Sequence, residues 1–390
     1  MMKESLLTFV DRSEKEQFLL LKELVLQQSF SRYKDGVDTV GRKIAASLAG
    51  TGMVLELVRE SELGDQLVFR SPGCQPGLQS ILLIGHMDTV YPVNSSFNWY
   101  KEEDGLVFGP GVIDMKGGLV TAIFALKALA ECKLLDTIPI TFICNSDEEI
   151  GSPASSPLIE TEAERSLLAL GFECGGLNGE VVTGRKGKCG YLLAVKGQAG
   201  HAAFAGPDKA SAILELAHKI IALEKLNHNQ KQVVLNVGVI AGGIGPNTVA
   251  DTATAEIDTR FLELADGEDI ASEIGRIALE SSVPGTWAEL HETPSRLPMV
   301  QSVQNKELFQ LIYREAEILG QTCREELRSG VSDVNLISHT GIPVVDGMGP
   351  IGSADHSEKE YMIRSSLPAR IKLAIFGILS SWNHFKPGRL

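Results

Sequence analysis

The arrangement of apolar and polar residues predicts alternating strands and helices in the first half of the chain. Residues 80–85 and 138–144 form continuous apolar runs, which are typical of strands covered on both faces of a sheet. Residues 14–28, 37–49 and 119–132 carry apolar side chains at the spacing of an amphipathic helix. Strands that alternate with helices predict an α/β fold, with a mostly parallel sheet sandwiched by helices.

A different pattern begins near residue 186. The predicted elements are, in order, a strand at 189–196, a helix at 208–224, strands at 233–241 and 248–261, a helix at 267–281 and a strand at 286–292. The order βαββαβ is typical of a ferredoxin-like α+β domain. Helical spacing returns at 306–319 and 367–382. We therefore expect residues 1–186 and 298–390 to form a catalytic domain, interrupted by an inserted domain at residues 187–297.

Composition and charge narrow the class of protein. The 390 residues are 44% hydrophobic, which is enough for a packed core, and the net charge of −14 argues against nucleic acid or an anionic membrane as the main partner. No run approaches the ~20 apolar residues that a membrane-spanning helix needs. The six cysteines are scattered without a Cys-x-x-Cys pair, and the N-terminus lacks a signal-peptide pattern. We expect a cytoplasmic protein with reduced thiols.

An acidic segment follows the predicted strand 138–144. It contains Asp147, Glu148 and Glu149 in a row, before Gly151. Adjacent carboxylates repel one another, so such a segment needs either a cation or water around it. On its own, an exposed acidic turn explains the segment about as well as a metal site does.

Other candidate ligands lie at neighbouring strand ends. His86 follows the strand 80–85, and Glu173 follows the apolar run 167–172. Asp114 lies in a glycine-rich loop that could join them. Ligands of parallel sheets bind at the carboxyl ends of the strands, so we expect these side chains to lie close together.

Two imidazoles and three carboxylates make up the full candidate set, which is the donor chemistry that zinc or a similar cation prefers. The five residues are His86, Asp114, Glu149, Glu173 and His356. Two ions bridged by one carboxylate could activate a shared water. Glu148 would then take a proton from that water and pass it to a leaving amine.

Five segments of the chain resemble, in order, the signature of a dinuclear-zinc metallopeptidase family. They are residues 86–88, 109–118, 147–152, 172–173 and 356–357. The family includes glutamate carboxypeptidase, acetylornithine deacetylase and succinyl-diaminopimelate desuccinylase, and the chain resembles glutamate carboxypeptidase most. The resemblance covers essentially the whole chain. It implies a catalytic domain of the zinc-exopeptidase type and an inserted domain that serves as lid and dimerisation domain.

The resemblance also implies how the ligands divide. His86 and Glu173 would complete one metal site, Glu149 and His356 would complete the other, and Asp114 would bridge the two. It thus implies two zinc ions per subunit, which cobalt or manganese can replace.

Two further roles follow from the same resemblance. Glu148 matches the general base of the family. Asp88 would accept a hydrogen bond from the second ring nitrogen of His86 and so fix its tautomer. The peptide bond after Asp114 is often cis in the family, and we expect the same here.

The inserted domain carries three matches to substrate-binding positions. His201 resembles the lid histidine that stabilises the tetrahedral oxyanion. Asn247 and Arg260 resemble positions that grip the carboxylate of the substrate, a task that suits the planar guanidinium. A surface ion pair is the alternative interpretation of Arg260.

The function implied is hydrolysis of an amide in a peptidyl or N-acyl amino acid with a free C-terminal carboxylate, by a homodimer. Deacylation of N-acyl amino acids, as in the deacetylase and desuccinylase branches, is the alternative. A relative that binds metal without turnover is a third possibility, but it would be expected to have lost a ligand or the base. All five ligand candidates and Glu148 are retained.

Overall fold

The computed structural model describes residues 2–228 and 230–387. Contacts between residues divide the chain into two compact units. The first unit holds the described residues up to Gly184, the segment Gln301–Leu327 and the described residues from Ser332 onward. The second unit holds Arg185–Val300 and Arg328–Val331.

The described residues form eighteen strands and ten α-helices. The strands are β1 Val54–Val58, β2 Gln66–Arg70, β3 Ser80–His86, β4 Lys101–Glu103, β5 Leu106–Phe108, β6 Ile140–Asn145, β7 Ser166–Gly171, β8 Glu180–Arg185, β9 Gly187–Lys196, β10 Gly200–His201, β11 Val234–Gly242, β12 Thr248–Val249, β13 Thr252–Phe261, β14 Trp287–Arg296, β15 Arg324–Arg328, β16 Val344–Val345, β17 Gly352–Ser353 and β18 Tyr361–Ile363. The helices are α1 Met2–Arg12, α2 Glu14–Val25, α3 Lys34–Leu48, α4 Lys116–Glu131, α5 Ser156–Glu164, α6 Ala212–Glu224, α7 Leu264–Leu279, α8 Val303–Ile318, α9 Val334–Ser338 and α10 Ser366–Phe385.

The first unit is built around a six-stranded sheet in the order β1-β2-β6-β3-β7-β16. The last four of these strands run parallel, whereas β1 and β2 are antiparallel at one edge. Every residue of β3 and β6 is buried, as expected for strands covered on both faces. Helix α4 packs against β3 and α10, and one hydrophobic core includes Ile81, Ile123 and Ile371. The predicted mostly parallel sheet flanked by helices is confirmed.

The strand register brings three chain segments to one edge of this sheet. His86, the last residue of β3, pairs with Asn145, the last residue of β6. Ile84 of β3 pairs with Gly171, the last residue of β7. The segments that follow these parallel strands therefore begin side by side.

The second unit has an antiparallel sheet in the order β11-β13-β9-β14, with helices α6 and α7. The predicted βαββαβ order is confirmed. The prediction of one strand over residues 248–261 was wrong, because the chain leaves the sheet at two residues. The carbonyls of Ala250 and Asp251 accept hydrogen bonds from the N–H groups of Ala212 and Gly197, and the preceding strand β12 pairs with β10 instead.

A buried ion pair lies on α6. Lys219 Nζ is 3.0 Å from Glu215 Oε1, and both side chains are buried. The ammonium group also donates to the carbonyls of Ile277, Ala278 and Glu280, at 2.7, 3.1 and 2.6 Å. These contacts bind α6 to the C-terminal end of α7.

Helix α1 was not predicted from the sequence, because its apolar residues extend over only three turns. Leu6, Phe9 and Val10 nevertheless form its buried face. Among residues 2–228 and 230–387, no helix combines the length and the apolar character needed to cross a bilayer.

Candidate metal centre

His86 is fixed at the end of β3 with only 1% of its surface exposed. Its Nδ1 lies 3.0 Å from the carbonyl oxygen of Asp88 and 3.3 Å from the Oδ1 atom of that residue. Both oxygens can only accept a hydrogen bond from a ring N–H, so Nδ1 carries the hydrogen. The lone pair of Nε2 therefore points away from Asp88 and is available to a cation.

Asp114 lies between two imidazoles. Its Oδ1 is 3.0 Å from Nε2 of His86, and its Oδ2 is 3.1 Å from Nε2 of His356. The peptide bond between Asp114 and Met115 is cis, as predicted. Each oxygen of one carboxylate thus faces a different ring nitrogen.

Each of these imidazoles faces a second carboxylate as well. Oε1 of Glu173 is 3.4 Å from Nε2 of His86, and Oε2 of Glu149 is 3.2 Å from Nε2 of His356. The five residues predicted as ligands therefore come together. They form two groups, with His86 and Glu173 in one, His356 and Glu149 in the other, and Asp114 shared.

The acids of this cluster are held in surroundings that oppose their charge. Burial raises the pKa of Glu149 to about 8, and it also raises the pKa values of Glu148 and Glu173. Hydrogen bonds to Asp114 and Glu149 raise the pKa of His356 to about 11. Burial also opposes the charge of Asp114, but its contacts with the two imidazoles outweigh it and lower the pKa of this carboxyl.

The donor set fits a divalent cation. His86, Asp114 and Glu149 each offer a ligand atom, and these atoms all lie within 4.8 Å of one another. Oε1 of Glu149 is buried and accepts no hydrogen bond from the described residues. Imidazole nitrogens and carboxylate oxygens are the ligands that zinc takes in hydrolytic sites. A cation would also offset the excess of buried acid over base.

Glu148 begins the short 3-10 helix Glu148–Ile150, one residue before Glu149. Asp88 holds this segment, since its Oδ1 and Oδ2 accept hydrogen bonds from the N–H groups of Glu148 and Glu149, both at 3.3 Å. Asp88 is fully buried and also accepts a 2.6 Å hydrogen bond from the hydroxyl of Ser31. The same carboxylate therefore contacts His86 and fixes the backbone of the acidic segment.

Two buried acids outside the predicted set hold the backbone of other ligands. Glu360 accepts a 3.1 Å hydrogen bond from the N–H of Asp114, and Asp346 accepts a 3.2 Å hydrogen bond from the N–H of Glu173. Neither was identified from the sequence. Glu360 follows the exposed Glu358 and Lys359, so the local pattern indicates only a charged loop. The spacing of four residues between His356 and Glu360 is the one sequence signal that could have drawn attention to it.

The three remaining predicted residues belong to the second unit. His201 ends β10 and is exposed, with Nδ1 accepting a 3.2 Å hydrogen bond from the N–H of Ala203. The exposed Asn247 lies close by, because its carbonyl accepts a 2.9 Å hydrogen bond from the N–H of Ala202.

Arg260 is at the other end of the sheet in this unit. Its register partner is Lys188 near the start of β9, whereas the partner of Thr252 is Lys196 at the end of that strand. The guanidinium pairs with Asp258, at 2.8 Å from Nε to Oδ2. The surface ion pair named as the alternative for Arg260 is therefore present, with 26% of the arginine side chain exposed.

Comparison with protein families matches residues 82–375 to the one described as Peptidase family M20/M25/M40. That match extends over more than half of the chain. Among curated proteins, carboxypeptidase G2 from Pseudomonas sp. (strain RS-16) is 27% identical over 362 residues, which cover 91% of this chain and 86% of that protein.

Two solved structures illustrate how widely the fold is shared. Aminopeptidase PepT from Bacillus cereus ATCC 10987 has a TM-score of 0.80 at 21% identity, covering 94% of this chain and 98% of that one. The M20 family metallo-carboxypeptidase Sso-CP2 from Sulfolobus solfataricus has a TM-score of 0.74 at 18% identity, covering 93% and 98%. With the match over residues 82–375, the chain belongs to peptidase family M20/M25/M40.

Proposed function

We propose that this protein is a metal-dependent exopeptidase that cleaves the amide bond of a peptidyl or N-acyl amino acid with a free C-terminal carboxylate. One observation carries the proposal. The two oxygens of Asp114 lie 3.0 and 3.1 Å from different imidazoles, and each imidazole has a second carboxylate beside it. This arrangement supports two divalent cations, with Asp114 as the bridging ligand. Zinc suits the donors, and cobalt or manganese can take its place.

The ligands divide between the two proposed ions as the geometry groups them. His86 and Glu173 would hold one ion, and Glu149 and His356 would hold the other. Asp88 keeps the hydrogen of His86 on Nδ1 and so presents Nε2 to the ion. When bound, such ions polarise a substrate carbonyl and lower the pKa of water.

Glu148 is the proposed general base. It lies beside Glu149 in the chain, and its raised pKa suits a group that both takes and gives a proton. Glu148 would accept a proton from the attacking water and deliver it to the amine that leaves. The carboxylate of Asp88 accepts hydrogen bonds from the N–H groups of Glu148 and Glu149. It therefore positions both the proposed base and a proposed metal ligand.

The second unit would bind the substrate. Nδ1 of His201 accepts a backbone hydrogen bond, which leaves Nε2 as the ring N–H that can donate to the tetrahedral oxyanion. Arg260 and Asn247 would bind the C-terminal carboxylate. For Arg260 this requires the incoming carboxylate to share or replace the contact with Asp258.

We also propose a homodimer formed through the second unit. Strand β11 is an edge strand, and Ile240 on it and Ile221 on α6 are 65% and 61% exposed. An exposed apolar edge of this kind favours pairing with another chain. Asn247 precedes Thr252, the first residue of β13, and Arg260 lies eight residues after Thr252, about 27 Å away at the rise of an antiparallel strand. Two copies of the chain would therefore be needed to bring both residues to one substrate.

Peptide hydrolysis is favoured over deacylation of N-acyl amino acids. The curated relative named above is a carboxypeptidase, and so is one of the two structural relatives. A relative without turnover is not favoured, because the sequence retains all five ligand candidates and Glu148.

A hydrolysis screen tests the proposal. The protein is loaded with zinc, cobalt or manganese and given dipeptides and N-acyl amino acids that vary in the C-terminal residue. We expect cleavage of substrates with a free α-carboxylate and little cleavage of the matching C-terminal amides. Hydrolysis of acids and amides at equal rates would contradict carboxylate recognition, and no hydrolysis of any substrate by the metal-loaded protein would contradict the activity.

A further inference from the structure

Glu360 is a buried carboxylate that holds the loop carrying Asp114. No part of its side chain is exposed. Its Oε1 accepts hydrogen bonds from the N–H groups of Ile113 and Asp114, at 2.8 and 3.1 Å. Its Oε2 accepts a 2.9 Å hydrogen bond from the N–H of Gly111. A single side chain thus satisfies three backbone donors within four consecutive residues.

Tyr91 completes the surroundings of this carboxylate. Its hydroxyl lies 2.7 Å from Oε2 of Glu360 and 2.9 Å from the carbonyl of Ser357, the residue after His356. The ring of Tyr91 packs edge-on against Phe97, at 5.1 Å between centroids. The aromatic residues between β3 and β4 therefore support the hydroxyl that reaches both loops.

Glu360 also belongs to the segment that carries the other imidazole. It lies four residues after His356 and immediately before β18, which pairs with β5. Its hydrogen bonds to residues 111–114 therefore join the loop of His356 to the loop of Asp114. These are the two loops whose side chains meet at 3.1 Å.

We propose that Glu360 is a positioning residue that keeps the carboxylate of Asp114 between His86 and His356, and so sets the affinity of the site for metal. This inference rests on the metal site of the proposed function. Glu360 does not itself touch the ligand atoms, so it acts through the backbone of Asp114. Its buried negative charge would also favour a cation nearby.

Metal binding should be sensitive to the position of Asp114, because its two oxygens lie only 3.0 and 3.1 Å from the imidazoles of His86 and His356. Without Glu360, three N–H groups are left without their acceptor, and the loop would shift to find others. A shift of about 1 Å in a ligand-bearing loop is enough to disturb a site of this kind. The loss would fall on metal binding first, because the N–H of Asp114, the residue shared by the two groups of ligands, is one of the donors that loses its acceptor.

Graded variants separate positioning from general folding. Glu360→Gln keeps one acceptor oxygen for Ile113 and Asp114 but loses the acceptor of Gly111. Tyr91→Phe removes one donor and keeps the carboxylate. Glu360→Ala removes all the acceptors. Glu358→Gln is the matched control, because Glu358 is exposed and accepts its hydrogen bond from the hydroxyl of Ser96 instead.

The experiment is a cobalt titration of the metal-free full-length protein and of each variant. Calorimetry gives the stoichiometry and affinity, and the visible absorption of bound cobalt reports its ligand geometry. We expect Glu360→Gln to bind cobalt about 10- to 100-fold more weakly than wild type, with an altered spectrum. Tyr91→Phe should show a smaller change in the same direction, and Glu358→Gln none. In the absence of metal, Glu360→Gln, Tyr91→Phe and the control should have similar melting temperatures, although their affinities for cobalt differ.

The outcomes distinguish this inference from the proposed function. If the wild type takes up no cobalt, the proposed metal site itself is wrong. If the wild type binds cobalt and Glu360→Gln matches Glu358→Gln in affinity and spectrum, the positioning role is overturned and the metal site stands. Should Glu360→Ala fail to fold, Glu360→Gln and Tyr91→Phe still decide the question.

Discussion

Buried charged groups are neutralised by partners within the chain in the second unit, but not fully in the first unit. In the second unit, Glu215 and Lys219 form a pair, and the ammonium group donates to three carbonyls at the end of α7. In the first unit, three carboxylates surround two imidazoles at the ends of parallel strands. One arrangement is complete within the chain, whereas the other has more acid than base.

The pKa shifts follow this difference. Burial opposes the charge of Glu215, but hydrogen bonds from Lys219 and the N–H of Val283 outweigh it, and the pKa of Glu215 is lowered. Burial raises the pKa of Glu149 to about 8, because its partners do not compensate fully. A balanced buried pair indicates a structural role, and an unbalanced cluster indicates that something from outside the chain completes it.

Metal removal should have the largest effect. Treatment with a chelator is expected to abolish hydrolysis, and added zinc, cobalt or manganese should restore it to different extents. A cation present at about 1,000 times its dissociation constant stabilises the folded state by about 4 kcal/mol, so the melting temperature should fall as well. If chelation changed neither the activity nor the melting temperature, the cluster of acids would be complete without a cation. That result would contradict the proposed difference between the two units.

Replacing the proposed base should have the next largest effect on activity. Glu148→Gln is expected to lower kcat by about 10²- to 10⁴-fold, since the amide cannot accept a proton from water. Metal content, measured by elemental analysis, should stay at the wild-type level because Glu148 is not among the residues that face the imidazoles. Retained activity would show that the base is a different residue.

Breaking the balanced pair should affect stability and leave metal binding unchanged. Lys219→Met is expected to lower the free energy of unfolding by about 3–5 kcal/mol, because Glu215 is left buried without its partner. The double variant Glu215→Gln with Lys219→Met should be more stable than Lys219→Met alone. Urea denaturation measures both, and the exposed Lys225→Met serves as the control, with an expected change within about 0.5 kcal/mol. Equal losses for single and double variants would argue against charge pairing.

The smallest expected effect is a dependence of stability on acid pH. Because the pKa of Glu215 is lower in the folded state than its ordinary value of 4.5, its charge stabilises the fold above that value, and this stabilisation is lost as the pH falls through the folded pKa. Between about pH 5 and pH 3, wild type should therefore lose more stability than Glu215→Gln. Parallel pH profiles of the two proteins would contradict the lowered pKa.

Much of the fold, and the approach of several candidate ligands, could be predicted from local patterns. His86 and Glu149 come at or just after buried apolar strands, and parallel strands end at a common edge, so periodicity alone indicated their approach. His356 was included as a second imidazole donor, and only the family resemblance assigned it to a metal site, because no local pattern connects it to that edge. Comparison with protein families confirmed that resemblance.

The residues that escaped prediction act through partners remote in sequence. Glu360 binds the backbone of residues 111–114, and a backbone N–H has no sequence signature. From the sequence alone, Lys219 would be placed at an exposed position of an amphipathic helix. In the structure, its ammonium group contacts three carbonyls at the end of α7. The break between β12 and β13 has the same origin, because partners outside the strand take the backbone groups there. Tertiary contacts decided each of these cases.

His356 follows the second unit along the chain, whereas His86, Asp114, Glu149 and Glu173 all precede it. A growing polypeptide that has emerged from the ribosome as far as β14 therefore carries four of the five donors and lacks the last. The ion proposed to be held by Glu149 and His356 can therefore be bound only after the chain extends beyond the second unit, whereas His86, Asp114 and Glu173 are all present earlier. We expect a chain that terminates before His356 to be inactive, because that proposed ion would have no imidazole ligand.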